Sequence, residues 1–359
     1  MRKRIYLMRP NVGLEEINQI KKVIYSKHLT EGIMTQQFER EIANYTNSRY
    51  ATATTSATTA LHTMFHCMGV KGKKVLVSDF TFPATVLSII QAGGKPILVD
   101  VDKQSMNVNR EIIEQGKLDS IEFISPVSIF GNPLDFDFYK LKKYGMKIIE
   151  DAATNLGTKI NNKFVGSLAD VTCFSFHPRK IITTGEGGMI TTNNKKLNEK
   201  INSFKTFGKK DLEFVNVGTN YKLSDIQSAM GIAQMKKIEK IIKNRIEQAK
   251  IYNELLSKID FIEPQKQTKN SRHTYQSYVC IISKKGLRDK IIKKLAKENI
   301  ESQIGTYAVH SLSAFTKIPK MGKLENSEFL FKNTISLPLH EELTVKNQQF
   351  ICKSINEII

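Results

Sequence analysis

Lys180 closes the string Phe174-Ser175-Phe176-His177-Pro178-Arg179-Lys180, and Gly185, Gly187 and Gly188 follow it. Upstream, the apolar run Met146-Lys147-Ile148-Ile149 ends in Glu150-Asp151. An acid closing one strand-like run and a lysine just after the next define a specific chemistry. The lysine amine can form a Schiff base with an aldehyde. The acid can pair with a pyridine nitrogen and keep it protonated, so that the ring accepts electrons. The pair therefore suits pyridoxal phosphate (PLP), a pyridine that carries an aldehyde. A lysine after a strand is ordinarily just solvated, so the case rests on its context.

That context includes a phosphate cradle. Thr54-Thr55-Ser56-Ala57-Thr58-Thr59-Ala60-Leu61-His62 passes from hydroxyl residues into an apolar helical pattern, with Ser56 as the expected N-cap. Free N–H groups and the positive end of the helix dipole favour a phosphate there. Taken alone, the string reads as a plain capped helix. Asp79-Phe80-Thr81-Phe82-Pro83-Ala84-Thr85 follows another strand-like run and offers an aromatic at a strand end, where a flat ring can stack. Ala152 and Ala153 leave room for that ring near the backbone. Ser175, on the strand leading to Lys180, can add a hydrogen bond to phosphate. The glycines after Lys180 permit a tight turn and close approach of a cofactor.

The elements that must position these residues are legible as a pattern. From about Ala51 to Thr192, short apolar runs alternate with helical segments such as Thr85 to Ala92 and Phe136 to Lys143. The runs are Val75 to Val77, Pro96 to Val99, Ile121 to Ile124, Met146 to Ile149, Val171 to Phe176 and Met189 to Thr191. Such alternation predicts a largely parallel sheet covered on both faces. Its ligands belong at the carboxyl ends of the strands, where Asp100, Asp151 and His177 fall. After Asn220 a long helix is expected, with Ile238, Ile242, Ala249, Tyr252 and Leu256 at helical spacing. Its basic stripe, Lys236, Lys237, Lys240, Lys243 and Arg245, reads as a solvated face. A smaller α/β unit follows, with a strand at 278–282 and a helix carrying Leu287, Ile291 and Leu295. The expected division is 1–245 and 246–359.

The chain has 359 residues, 40% hydrophobic and 25% charged, which is enough for a large core in two domains. No apolar stretch approaches the roughly 18 residues of a spanning helix, and no apolar signal core follows the basic opening. Cys67, Cys173, Cys280 and Cys352 are far apart, which predicts free thiols in a cytoplasmic protein and no metal site. The net charge of +19 fits three readings: nucleic-acid binding, steering of phosphate-rich substrates, or a compositional bias. The lysines are spread along the chain, with no helix-turn-helix signature and no basic arm interleaved with aromatics, so neither nucleic acid nor membrane is an expected partner.

Together, Thr54 to His62, Thr81 to Thr85, Glu150-Asp151-Ala152-Ala153, Ser175 to Lys180 and Gly185-Glu186-Gly187-Gly188 resemble the DegT/StrS family of sugar aminotransferases. The resemblance extends to Ser26 to Gly32, to Gly218-Thr219-Asn220-Tyr221-Lys222-Leu223-Ser224 and to Ser336 to His340. It implies an α/β fold of the aspartate aminotransferase type (fold type I). In that fold a large domain, its mostly parallel mixed sheet sandwiched by helices, carries a smaller C-terminal α/β domain. It further implies that Lys180 is the Schiff-base lysine and proton carrier, that Asp151 holds the pyridine nitrogen and that Phe82 stacks on the ring. Thr58, Thr59 and Ser175 would bind the phosphate. Asn220 would reach the phosphate of a neighbouring subunit, which makes the site one shared across a homodimer. His28, Thr30, Glu186 and His310 are the implied substrate contacts, and His340 lies in a segment that closes the site. His62, His66 and His273 read as structural. The sequence departs from the family pattern at Ala57, Ser128, Thr154 and Lys222.

The expected function is transfer of an amino group from an amino acid, glutamate above all, to a keto sugar carried on a nucleotide. The ketone would be a 3- or 4-keto-6-deoxy sugar, made for a surface polysaccharide or another glycoconjugate. In related sugar dehydratases histidine replaces the lysine, so Lys180 argues for amine transfer. Two alternatives remain: a non-nucleotide ketone such as an inosose or a small phosphorylated ketone, and a non-catalytic binding protein of the same fold.

Overall fold

The computed structural model describes residues 3–116 and 121–358; Met1 and Arg2 of the basic opening lie outside the described residues. The chain begins with helices α1 (Leu14–Ser26) and α2 (Ile33–Thr46). Strand β1 (Tyr50–Thr54) leads into α3 (Ala57–Met68), and β2 (Lys74–Ser78) leads into α4 (Ala84–Gln91). The other expected runs become β3 (Lys95–Val99), β4 (Phe123–Ser125), β5 (Lys147–Asp151), β6 (Val171–Ser175) and β7 (Gly188–Thr192). These strands pair in the order β1-β7-β6-β5-β4-β2-β3, and the short strand Lys320–Met321 extends the β3 edge. Only β7 runs antiparallel to its neighbours; every other pairing is parallel.

Burial on both faces explains the parallel sheet. Along β2, Val75 and Val77 pack with Leu61 and Phe65 of α3 and Ile89 of α4. Leu76, between them, points to the opposite layer with Ile124, Ile148, Leu134 and Phe138. Strand side chains alternate faces, so Ile149 joins the α3–α4 side while Ile148 joins the other. The segment expected as helical at Phe136 to Lys143 is a 3-10 helix, Phe136–Tyr144.

Helix α5 (Asp225–Met235) is followed by α6 (Ile238–Leu256). A second, antiparallel sheet then forms from β8 (Ile262–Pro264), β9 (Tyr278–Ile282), β10 (Gln303–Ile304) and β11 (Thr334–Leu337), in the order β8-β9-β11-β10. Helices α7 (Leu287–Lys297) and α8 (Val345–Asn356) cover it. Residue 245 falls inside α6, which runs without a break from one core to the other. Its Ile238, Ile241 and Ile242 pack with residues of the large sheet, and its Ala249, Tyr252 and Leu256 pack with the second. The opening segment also departs from the expected 1–245 unit. Ile5 bridges Ile300 and packs in the second core, and Leu7 accepts a backbone bond from Leu339.

The basic stripe on α6 needs correction as well. Lys236, Lys240 and Lys243 are exposed as expected. Arg245 is only 2% exposed. Its Nη1 donates to the carbonyls of Tyr275 (3.2 Å) and Gln276 (2.9 Å), and its Nη2 contacts the Met8 sulfur. Burial pulls its pKa down to about 10. Lys237 pairs with Glu16 at 2.8 Å and Glu15 at 3.3 Å. Spacing puts a residue on a face but does not say what covers that face.

Candidate active site

A cavity of about 560 Å³ opens at the carboxyl ends of the large sheet, and the second sheet closes its other side through Gln303, Ser336 and Leu337. Asp151 ends β5 on its floor and is 5% exposed. Alternation along β5 aims Asp151 to the α3–α4 side, where Thr85 of α4 waits. Thr85 Oγ1 donates to Asp151 Oδ2 at 2.6 Å, and the Ala153 N–H donates to Oδ1 at 3.0 Å. The carboxylate is thus fixed in direction before any ligand arrives. Thr85 thus fixes the direction of Asp151, a contact that the sequence reading did not assign. Its signal was its place, three residues after Phe82 at the start of a helix.

Lys180 sits in the turn after β6, tied by its own N–H to the His177 carbonyl at 2.8 Å. β5 and β6 are parallel neighbours with Asp151 opposite Cys173, so the turn after β6 carries Lys180 to the same cavity. Burial lowers the pKa of its amine, Asp151 and Cys173 pull it back up, and Arg179 adds to the lowering. A lowered pKa leaves more of the amine neutral and nucleophilic.

Glu150 points the other way and is fully buried, with no ion-pair partner among the described residues. Ser128 Oγ and Tyr139 OH both donate to its carboxylate, Tyr139 at 3.0 and 3.1 Å. Burial pushes its pKa up to about 7 against those hydrogen bonds, and nearby Asp151 adds to the rise. Ser128 also ties the floor together: its N–H donates to the Asp151 carbonyl (3.0 Å), and its own carbonyl accepts from Thr154 Oγ1 (2.9 Å). The two departures from the family pattern at 128 and 154 thus bond to one another.

The residues present fit PLP. Ser56 caps α3 as expected, accepting the Thr59 N–H at 3.1 Å, and Ser56, Ala57 and Thr58 line the cavity. Ser175 lines it too, opposite Gly188 in the β6–β7 register. Gly188 is required: a Cβ there would lie 2.3 Å from the Ser56 carbonyl oxygen, so no other residue lets the helix start this close to the sheet. An N-terminal turn with hydroxyls suits the phosphate, Asp151 suits the ring nitrogen and Lys180 suits the aldehyde. Phe82 lines the cavity with its side chain largely uncovered.

Other expected residues fall in different places. The Thr59 hydroxyl is taken up by the cap, donating to the Ser56 carbonyl at 2.9 Å. Glu186 lines the cavity, its carbonyl held by Gln227 Nε2 at 2.7 Å. His28 and Thr30 are exposed between α1 and α2 and do not line this cavity. His310 does not line it either: its Nδ1 lies 2.7 Å from the buried Asp79 Oδ2, and its N–H donates to Oδ1 at 2.8 Å. Asn220 is exposed on a loop, its Oδ1 bound by Lys222 Nζ at 2.6 Å. His340 is buried and is not among the residues that line the cavity. His62 bonds Tyr221, His66 stacks on Phe204 and His273 stacks on Tyr275, which are structural roles. All four cysteines are free and buried.

The model of the DegT/DnrJ/EryC1/StrS aminotransferase family matches residues 10–356. The chain is 31% identical to the UDP-4-amino-4,6-dideoxy-N-acetyl-beta-L-altrosamine transaminase of Campylobacter jejuni strain 81-176, over 97% of this chain and 96% of that one. It is 30% identical to the GDP-perosamine synthase of Escherichia coli O157:H7, over 99% and 98%. Among solved structures, Helicobacter pylori PseC, an aminotransferase involved in the biosynthesis of pseudoaminic acid, superposes with a TM-score of 0.93 at 26% identity, over 99% of each chain.

Two outcomes follow from this geometry. Thr85→Val removes the hydroxyl that orients Asp151. A hydrogen bond to a charged group contributes about 1.5–3 kcal/mol, so cofactor affinity should fall at least about tenfold in a PLP titration. Affinity within twofold of wild type would show that Thr85 is not needed. The second outcome concerns pH. The folded protein holds the Glu150 proton until about pH 7, whereas the unfolded chain releases it near its ordinary value of 4.5. The stability linked to this site is therefore complete below pH 4.5 and is lost as pH rises through 7. Between pH 5 and 8, the unfolding free energy should decline by roughly 2–3 kcal/mol through this group, and Glu150→Gln should flatten that decline. An unchanged pH slope in the variant would contradict the assignment.

Proposed function

Because this chain belongs to the DegT/DnrJ/EryC1/StrS aminotransferase family, which it matches from residue 10 to residue 356, we propose that it aminates a keto sugar carried on a nucleoside diphosphate. The donor is an amino acid, glutamate in our reading. The ketone is a 3- or 4-keto-6-deoxy sugar destined for a surface polysaccharide or another glycoconjugate. The single observation that carries the reading is the Asp151–Lys180 arrangement, with lysine rather than histidine after β6. The relatives support it: one is a transaminase of a UDP-linked 4-amino-4,6-dideoxy sugar, and the other is a GDP-perosamine synthase.

The protein is a PLP-dependent aminotransferase. PLP, when bound, supplies an aldehyde that takes up the amino group and a ring that accepts electrons. In our assignment the rest is done by the chain. Asp151 holds a proton at the ring nitrogen, and Thr85 and Ala153 keep its carboxylate aimed. Ser56, Thr58 and Ser175 bind the phosphate with the free amides of α3. Phe82 covers one face of the ring. Lys180 Nζ moves the proton to and from the substrate carbon that bears nitrogen, first with glutamate and then with the keto sugar.

We assign the working form as a homodimer. Before Asn220 lies a hairpin of two short strands, Lys209–Lys210 and Glu213–Phe214; Leu212 and Phe214 in it are 89% and 68% exposed, and Val217 just after it is 91% exposed. Exposed apolar side chains grouped this way mark a surface meant for a partner. A second copy would cover them and bring each Asn220 to the other subunit's phosphate site. No helix among the described residues is long and apolar enough to cross a membrane. Four free, buried thiols suit the reducing cytoplasm.

The test uses the PLP-loaded protein with ¹⁵N-labelled glutamate and a panel of nucleotide-linked keto sugars. The label should appear on one of these sugars, and Lys180→Ala should lower turnover by at least about 10²-fold. Transfer only to an inosose or a phosphorylated ketone, or full turnover by Lys180→Ala, would overturn the reading.

A further inference from the structure

β2 and β3 are also followed by carboxylates at the edge where Asp151 lies, yet neither Asp79 nor Asp100 lines the cavity. Each instead holds a stretch of the chain between β10 and β11. Asp79 is fully buried and grips residues 309–310. Its carbonyl accepts the Val309 N–H at 2.9 Å, its Oδ1 accepts the His310 N–H at 2.8 Å, and His310 Nδ1 lies 2.7 Å from its Oδ2. Asp100 receives the start of the helix Glu325–Asn333. It accepts the N–H groups of Asn326 and Ser327 at 2.9 and 2.8 Å, and the Ser327 hydroxyl at 2.6 Å. A carboxylate suits the free amides of a helix's first turn.

Both grips converge on Tyr307. Tyr307–Ala308 pairs antiparallel with Phe80–Thr81, and Tyr307 stands opposite Thr81. The helix that Asp100 receives carries Phe331, whose ring centroid lies 6.0 Å from that of Tyr307. The Tyr307 ring also lies 6.3 Å from that of Phe82, at an angle of 59°. Both separations fall in the range where aromatic rings attract. Phe82 lines the cavity and is 64% exposed, whereas Tyr307 does not line it. A ring so little covered has few neighbours to hold its rotamer, and Tyr307 is one of them. Thr81 ties the same ribbon to the cavity floor: its Oγ1 lies 3.3 Å from Thr85 Oγ1, which donates to Asp151.

We propose that Tyr307 is a positioning residue for the reaction: held by the grips of Asp79 and Asp100, it keeps the Phe82 ring in place to cover the cofactor. The proposal rests on the reading in which Phe82 covers one face of the cofactor ring. A cover fixed beforehand does not have to be ordered when the ligand arrives, so binding does not lose that free energy. The same stretch of chain brings Gly305 and Thr306 to the cavity wall, so the two grips set the cover and the wall together.

Single-turnover amine uptake from glutamate by the PLP-loaded protein, followed at the cofactor's absorbance band, tests this together with the circular dichroism of that band. Tyr307→Leu keeps apolar bulk but loses the ring. It should slow the turnover by about two- to tenfold, the fold-change of one aromatic pair, and alter the dichroism. Tyr307→Phe should restore the wild-type dichroism and bring the rate to within about twofold of wild type. In a Phe82→Ala background Tyr307→Leu should have no further effect on the rate, because the ring it supports is gone. His310→Leu should act as Tyr307→Leu does, and it gives a second route to the same comparison if that variant folds poorly. Equal slowing with and without Phe82, or wild-type rate and dichroism in both Leu variants, would overturn the proposal and leave Phe82 as the ring's cover. A Phe82→Ala protein that matches wild type in rate and dichroism would overturn that placement of Phe82, and the proposal with it.

Discussion

A carboxylate and an amine must face each other across two adjacent strand ends, and most of the large sheet answers to that requirement. β5 and β6 can deliver Asp151 and Lys180 to one cavity because they are parallel and their carboxyl ends lie on the same edge. The other groups arrive by the same rule. β1 ends at Thr54 on that edge, so α3 begins there with its free amides. β2 ends there too and passes through Phe82 to Thr85. The one reversed strand, β7, starts at that edge, and its first residue is the glycine that lets Ser56 come close. A parallel α/β sheet concentrates strand ends and helix starts, which is why its ligands bind there.

Neighbouring carboxylates have been given opposite tasks by strand alternation. Asp151 faces α4, where a hydroxyl and a backbone amide hold it toward the cavity and Lys180 supplies the opposite charge. Glu150 faces the opposite layer, where Ser128 and Tyr139 donate to it, and burial favours its protonated form. The first stays available to a ligand. The second serves as an anchor that ties the cavity floor to the layer behind it. Removing a charge from water is costly unless hydrogen bonds or a counter-ion compensate, so each environment decides what its carboxylate can do.

The fold, and the gathering of Asp151, Ser175 and Lys180 around one cavity, were legible in the sequence because they rest on local signals. Val75 to Val77 and Val171 to Phe176 read as buried strands from composition, and Ser56 read as a cap from its place before an apolar helix. Lys180, Asp151 and Ser175 followed from being near strand ends. What stayed illegible depends on contacts between distant segments. Arg245 looked solvated by spacing, yet Met8 and the 275–276 backbone cover it. His310 clasps Asp79 from 231 positions away in the chain, a contact that no local signal announces. Thr59 carried a usable hydroxyl, but the capping box claimed it. The opening segment at Ile5 could not be assigned to the second core without seeing Ile300 beside it.

The central claim is that Lys180, among all the lysines of a strongly basic chain, is the amine that couples to the cofactor. Borohydride reduction of the PLP-loaded protein, followed by peptide mass mapping, tests it directly. Hydride reduces the carbon–nitrogen double bond between lysine and cofactor and leaves a stable mass tag. The tag should fall on the peptide that contains Lys180, and Lys180→Ala should carry none. A tag on another lysine, or an untagged wild type after reduction, would contradict the account.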